Sequence, residues 1–259
     1  TKLFIYEAIY LRSYNNEKIK RKRSSAMQGE SKLELVTTGG GQSRRSSSSP
    51  GSSHYSLAES APSIQELDLS RRKLSALDLS RYPNLKVLDC SSNHLSSLDL
   101  SHTPALKRLF CYNNQLAGLD FSAVPDLELL HCGGNQLSEL DLSQVPNLTR
   151  LFCYKNRLTD LDLANTPKLS KLFCDWNRLS ALQLSGNPEL TSLCCYANQL
   201  SQLNLMGLTR LQKLSCRNNQ LHDLDLSHTP QLKMLYCKNN FLTHLDITHT
   251  PLLKDKDFS

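Results

Sequence analysis

No stretch of about 18 consecutive apolar residues occurs in the chain, so nothing in it reads as a membrane-spanning helix. The apolar stretch LFIYEAIYL at 3–11 is followed, not preceded, by the basic run KIKRKR at 18–23, which is the reverse of a secretory signal. None of the nine cysteines forms a C-x-x-C pair, the usual close-spaced arrangement of zinc ligands. The glycine-rich nonapeptide that binds calcium in some solenoids is missing as well. Tryptophan occurs once, at Trp176. These absences remove a helical membrane anchor and the common small metal modules from consideration.

What is present falls into two regions. Residues 1–62 hold 10 Lys/Arg against 5 Asp/Glu, while the remainder holds 20 against 19. The basic excess therefore sits in the N-terminal part, and residues 63–259 are close to neutral, which argues against a nucleic-acid-binding domain. The segment TTGGGQSRRSSSSPGSSHYS at 37–56 is rich in Gly and Ser and poor in large apolar residues. Such a composition cannot bury enough surface to offset its ordering entropy, so 1–62 is predicted to be a mostly disordered, low-complexity tail.

From Ile64 the chain repeats itself. Cys90, Cys111, Cys132, Cys153, Cys174, Cys195, Cys216 and Cys237 are 21 residues apart. Asn93, Asn114, Asn135, Asn156, Asn177, Asn198, Asn219 and Asn240 keep the same step. Nine units follow, beginning at Ile64, with a tenth opening at Leu253. A fixed period of this length signals a solenoid, in which each unit buries its apolar set only by stacking on the next.

The phrase L-x-x-L-x-C-x-x-N-x-L resembles the leucine-rich repeat family, and its short unit with LDLS and then TP or VP resembles the bacterial type. The resemblance covers about residues 64–252. It implies a β-rich, right-handed solenoid with a parallel sheet on its concave side, and most often a protein-binding role. Some bacterial relatives join such repeats to a catalytic domain, including ubiquitin ligases delivered into host cells. No such domain is visible in this sequence.

Within one unit, side chains alternate across a short strand. Leu88 and Cys90 then point inward with Leu85, Leu95, Leu98 and Leu100. The cysteine is expected to act as a small core hydrophobe, since Leu69 fills its place in the first unit. Disulfides between neighbouring coils and a metal site are the competing readings. A row of buried thiols points to a reducing compartment, the cytoplasm or a host cytosol reached by delivery. The asparagines are expected to satisfy backbone groups left unpaired where the strand turns. The aspartates Asp78, Asp99, Asp120, Asp141, Asp162, Asp225 and Asp246 are expected to accept from turn amides, with calcium binding as the alternative.

Function is expected on the outward positions. Aromatic and basic side chains gather across the middle units at Arg108, Phe110, Tyr112, Arg150, Phe152, Tyr154, Lys171, Phe173, Trp176 and Tyr196. Tyr, Trp and Arg are the types that dominate interface energetics. The alternative is that the rings stack, coil on coil, to stabilise the sheet. Cys194 is the one cysteine predicted to face out, and His131 lies three units away from it, too far to activate it. The sequence thus predicts a non-enzymatic scaffold that binds a protein partner through its concave aromatic-basic face, with no cofactor and no metal. Glycan or single-stranded nucleic acid binding, and the recognition part of a larger effector enzyme, are the alternatives.

Overall fold

A computed structural model of the protein describes residues 63–257, and the tail predicted for 1–62 lies outside them. The chain forms ten three-residue strands: β1 (Glu66–Asp68), β2 (Val87–Asp89), β3 (Arg108–Phe110), β4 (Leu129–His131), β5 (Arg150–Phe152), β6 (Lys171–Phe173), β7 (Ser192–Cys194), β8 (Lys213–Ser215), β9 (Met234–Tyr236) and β10 (Asp255–Asp257). They make one parallel sheet in sequence order. Every residue pairs with the one 21 positions on, such as Leu88 with Leu109 and Phe110 with His131. No helix occurs among the described residues.

The tenth unit that opens at Leu253 adds a rung through DKD at 255–257, with the Tyr236 hydroxyl donating to Asp255 and Arg217 paired to Asp257. Charged residues suit an edge strand, because they discourage further pairing.

The core is the predicted column. The strand leucines and the cysteines are buried in every inner coil, and so are the three apolar residues of the second half, except that Leu119 is only partly buried and Phe121 takes a leucine's place in the same coil. A second apolar row was not legible in the sequence. Each residue before the proline position, from Tyr82 through Thr103, Val124 and Thr166 to Thr250, is also buried. Where that residue is Thr, its hydroxyl donates to the carbonyl three residues back, as Thr103 does to Leu100 and Thr250 to Ile247. Asn187 breaks this row. Its amide nitrogen donates to Thr166 and Leu163, leaving its buried Oδ1 without a partner among the described residues.

The asparagine ladder does what its spacing predicted. Asn135 Oδ1 accepts from the Leu116 N–H of the preceding coil. Its Nδ2 donates to the carbonyls of Cys132 in its own coil and Cys111 in the one before. The same bonds recur at Asn114, Asn177, Asn198 and Asn219, so each coil is tied to the last by a side-chain amide. The aspartate row likewise accepts from the amide two residues on, as Asp99 does from Ser101, and that bond holds the carboxyl below its ordinary range.

All nine cysteines are free thiols. Burial pushes the ladder thiols up, Cys132 to about 12 and the less enclosed Cys237 to about 11. Thiolate is the reactive form, so the ladder should be inert in the folded protein. Native protein in iodoacetamide at pH 8 should label at most one thiol, Cys194, and urea-unfolded protein all nine. Labelling of two or more ladder cysteines without denaturant would show that the coils open locally.

Candidate functional site

The outward face of the sheet is built from four columns. They are the first and third residue of each strand and the two residues that follow the cysteine. The second of those two sits where the chain leaves the strand. Its backbone is left-handed throughout, with φ of 52° at Lys155, 54° at Trp176 and 67° at Gly134. Asn113, Asn218 and Asn239 occupy the same place and tolerate it, whereas tryptophan normally avoids it.

The structure brings most of the predicted aromatics into one contiguous cluster. His131 is its centre. It stacks on Tyr112 at 4.3 Å between ring centroids and contacts Phe152 at 5.1 Å, Tyr154 at 5.5 Å and Phe110 at 6.4 Å. Its Nε2 lies 3.1 Å from the Tyr154 hydroxyl. Phe152 in turn stacks on Phe173 at 5.2 Å. The small residue Gly133 makes this closure possible. A Cβ there would lie 2.9 Å from the Tyr154 ring, so the tyrosine folds into the space that glycine leaves. Enclosure drives the His131 pKa down to about 3, which keeps the imidazole neutral.

The consequence is that the predicted site residues are unequal. Phe110 and Phe152, on outward positions, are buried against neighbouring rings. Tyr112, Tyr154, Phe173 and Tyr196 are half-buried. Arg108, Arg150 and Lys171 are half-buried in the first strand column, where buried Leu129 separates the two arginines. Trp176 is different, with 48% of its surface exposed. Its indole N–H donates to the Tyr196 hydroxyl at 3.0 Å, and the two rings meet edge to face at 6.1 Å. The residue in the sequence that foretold the cluster was Gly133, which leaves a gap between Tyr112 and Tyr154 in their column. Its meaning needed the position of Tyr154.

Cys194 also departs from expectation. It is half-buried on the sheet face, and its thiol is raised first by that enclosure and then by Asp175 beside it. A thiol held protonated by burial and by a neighbouring carboxylate is a poor nucleophile. Arg217 lies over the Tyr236 ring at 4.6 Å, extending the aromatic-basic character to β8 and β9.

Residues 209–257 match the profile of the family described as Leucine Rich repeats (2 copies). The chain is a leucine-rich repeat protein. Its solenoid is similar to the functional domain of InlJ from Listeria monocytogenes, which includes a cysteine ladder. The identity is 34% with a TM-score of 0.74, over 75% of this chain and 44% of that one. It is also similar to YopM from Yersinia enterocolitica at 32% identity and a TM-score of 0.70, over 78% of this chain and 43% of that one. The leucine-rich repeat chain therefore spans less than half of the length of either protein. An internalin, InlF of Listeria monocytogenes, shares the fold at 23% identity and a TM-score of 0.73, over 76% of this chain and 62% of that one. A search of curated proteins returns no match. Among the described residues no helix is long and apolar enough to cross a membrane.

Proposed function

We propose that this leucine-rich repeat protein is a non-enzymatic recognition scaffold that holds a protein partner on the outward face of its sheet. Trp176 carries the reading. The largest side chain in the protein stands half exposed on left-handed backbone, a conformation that costs a residue other than Gly or Asn of the order of 1 kcal/mol. Tyr196 props its indole in place, which lowers the entropy lost when a partner packs on it. The self-packed cluster from Phe110 to Phe173 then serves as the rigid floor beside this anchor. Inert thiols along the core favour a reducing compartment for the working protein.

The test uses two substitutions with opposite expected effects on folding and binding. Trp176→Asn relieves the backbone and should raise stability by about 0.5–1 kcal/mol in urea titration. The same change should weaken a partner identified by pull-down and mass spectrometry about 30-fold, the scale of an interface anchor. Trp176→Phe should recover part of that loss. A partner bound equally by the wild type and by Trp176→Asn would overturn the assignment.

A further inference from the structure

We infer that the partner segment seated on this face is an acidic, extended peptide that runs across the strands. The inference rests on the recognition reading above and specifies its ligand. The four outward columns of the coils from β3 to β9 present Arg108, Arg150, Lys155, Lys171, Lys213 and Lys238. Arg217 is there too, held by Asp257. Against these cations the columns of these middle coils hold one carboxylate, Asp175, which is itself buried, while Glu66, Asp68, Asp89, Asp255 and Asp257 occupy the same columns on the end strands β1, β2 and β10. The folded region as a whole is nearly neutral, with 20 Lys/Arg and 19 Asp/Glu across residues 63–259. Much of its compensating acid lies in the aspartate row of the second half of each coil. Charge is thus sorted along the face, basic across the middle coils and acidic at the two end strands, and a sorted field attracts and orients a complementary partner.

Length and ring packing narrow the partner further. From β3 to β9 the face spans six strand spacings, about 29 Å at about 4.8 Å each. An extended peptide covers that distance in about eight or nine residues. Single-stranded nucleic acid is also acidic, but it binds by stacking bases on open rings. Here the faces of His131, Tyr112, Phe152 and Phe173 are taken up by one another. A carboxylate-bearing peptide needs only the cations and the edge of Trp176.

Trp176 is the only tryptophan in the 259-residue chain and stands on this face, so its fluorescence reports binding there. The full chain would be titrated with a deca-glutamate peptide, and in parallel with deca-lysine and an oligo-dT of ten nucleotides, at low and physiological salt. Deca-glutamate should change the emission saturably, more weakly at high salt, and deca-lysine should not. The triple variant Arg150→Glu/Lys171→Glu/Lys213→Glu should weaken the response at least about tenfold. The control Lys86→Glu/Lys168→Glu/Lys233→Glu carries the same charge change off the face and should retain it. Circular dichroism and thiol protection confirm folding, and Arg150→Gln/Lys213→Gln replaces the first triple should that fail to fold. No emission response to deca-glutamate, equal losses in both triples, or oligo-dT binding as tight as deca-glutamate would each overturn the inference. A protein partner lost on Trp176→Asn while deca-glutamate stays silent would remove the acidic assignment and leave the recognition reading standing.

Discussion

Replacing Asn135 by alanine should cost the solenoid about 3 kcal/mol, read as a lower midpoint in urea denaturation of the full chain. The side chain makes three bonds that knit two coils. Losing it leaves the Leu116 N–H buried without its acceptor, and an orphaned buried donor costs about 1–3 kcal/mol. The two cysteine carbonyls fare better, because each also accepts from another asparagine of the ladder, Cys111 from Asn114 and Cys132 from Asn156. Their lost bonds add about 1 kcal/mol together. Asn135→Asp should be worse than alanine at neutral pH, since it aims a carboxylate at two carbonyls, and should recover as the acid is protonated. Coils couple to their neighbours only, so a break in the middle also uncouples the two halves. A loss below about 1 kcal/mol for the alanine variant would mean that the strand ladder alone holds the coils in register.

Acidification should destabilise the protein well above the pH at which carboxylates titrate, and His131 is the cause. The unfolded imidazole takes up a proton below its ordinary 6.5, whereas the enclosed one resists until about 3. Between those values the unfolded state binds more protons, so stability falls as pH falls. The contribution is complete above about 6.5, and each unit below it removes about 1.4 kcal/mol. From pH 7 to pH 4.5 the loss should be about 2–3 kcal/mol. His131→Phe matches Phe110 and Phe152 on the flanking strands and should remove most of this slope, while giving up the contact with the Tyr154 hydroxyl. Parallel stability–pH curves for the wild type and the variant would assign the acid sensitivity elsewhere.

How the site became legible differs from residue to residue. Leu88, Cys90 and Asn93 announced their roles because a strict 21-residue step leaves one consistent way to stack them. The columns that include Arg108, Phe110 and Trp176 were legible as outward positions for the same reason. Their exposure was not. A strand pattern tells which face a ring is on and says nothing of whether a ring in the next coil covers it. Phe152 is covered on both sides by His131 and Phe173, while Trp176 stands clear. Asp255–Asp257 carries no apolar strand pattern of its own, and pairing with β9 makes it one.

The sequence by itself determined the repeat, its register, the inward column of leucines and thiols, and the amide ladder. All of these follow from a period that brings like residues over like residues. The tertiary structure decided what depends on differences between coils. The gap at Gly133 lets Tyr154 close over His131 and turns a row of rings into a packed floor. The left-handed turn lifts Trp176 off that floor, and the Tyr196 hydroxyl fixes its indole. Repetition is a property of the sequence, and its local exceptions acquire meaning only when the neighbours that fill them are in place.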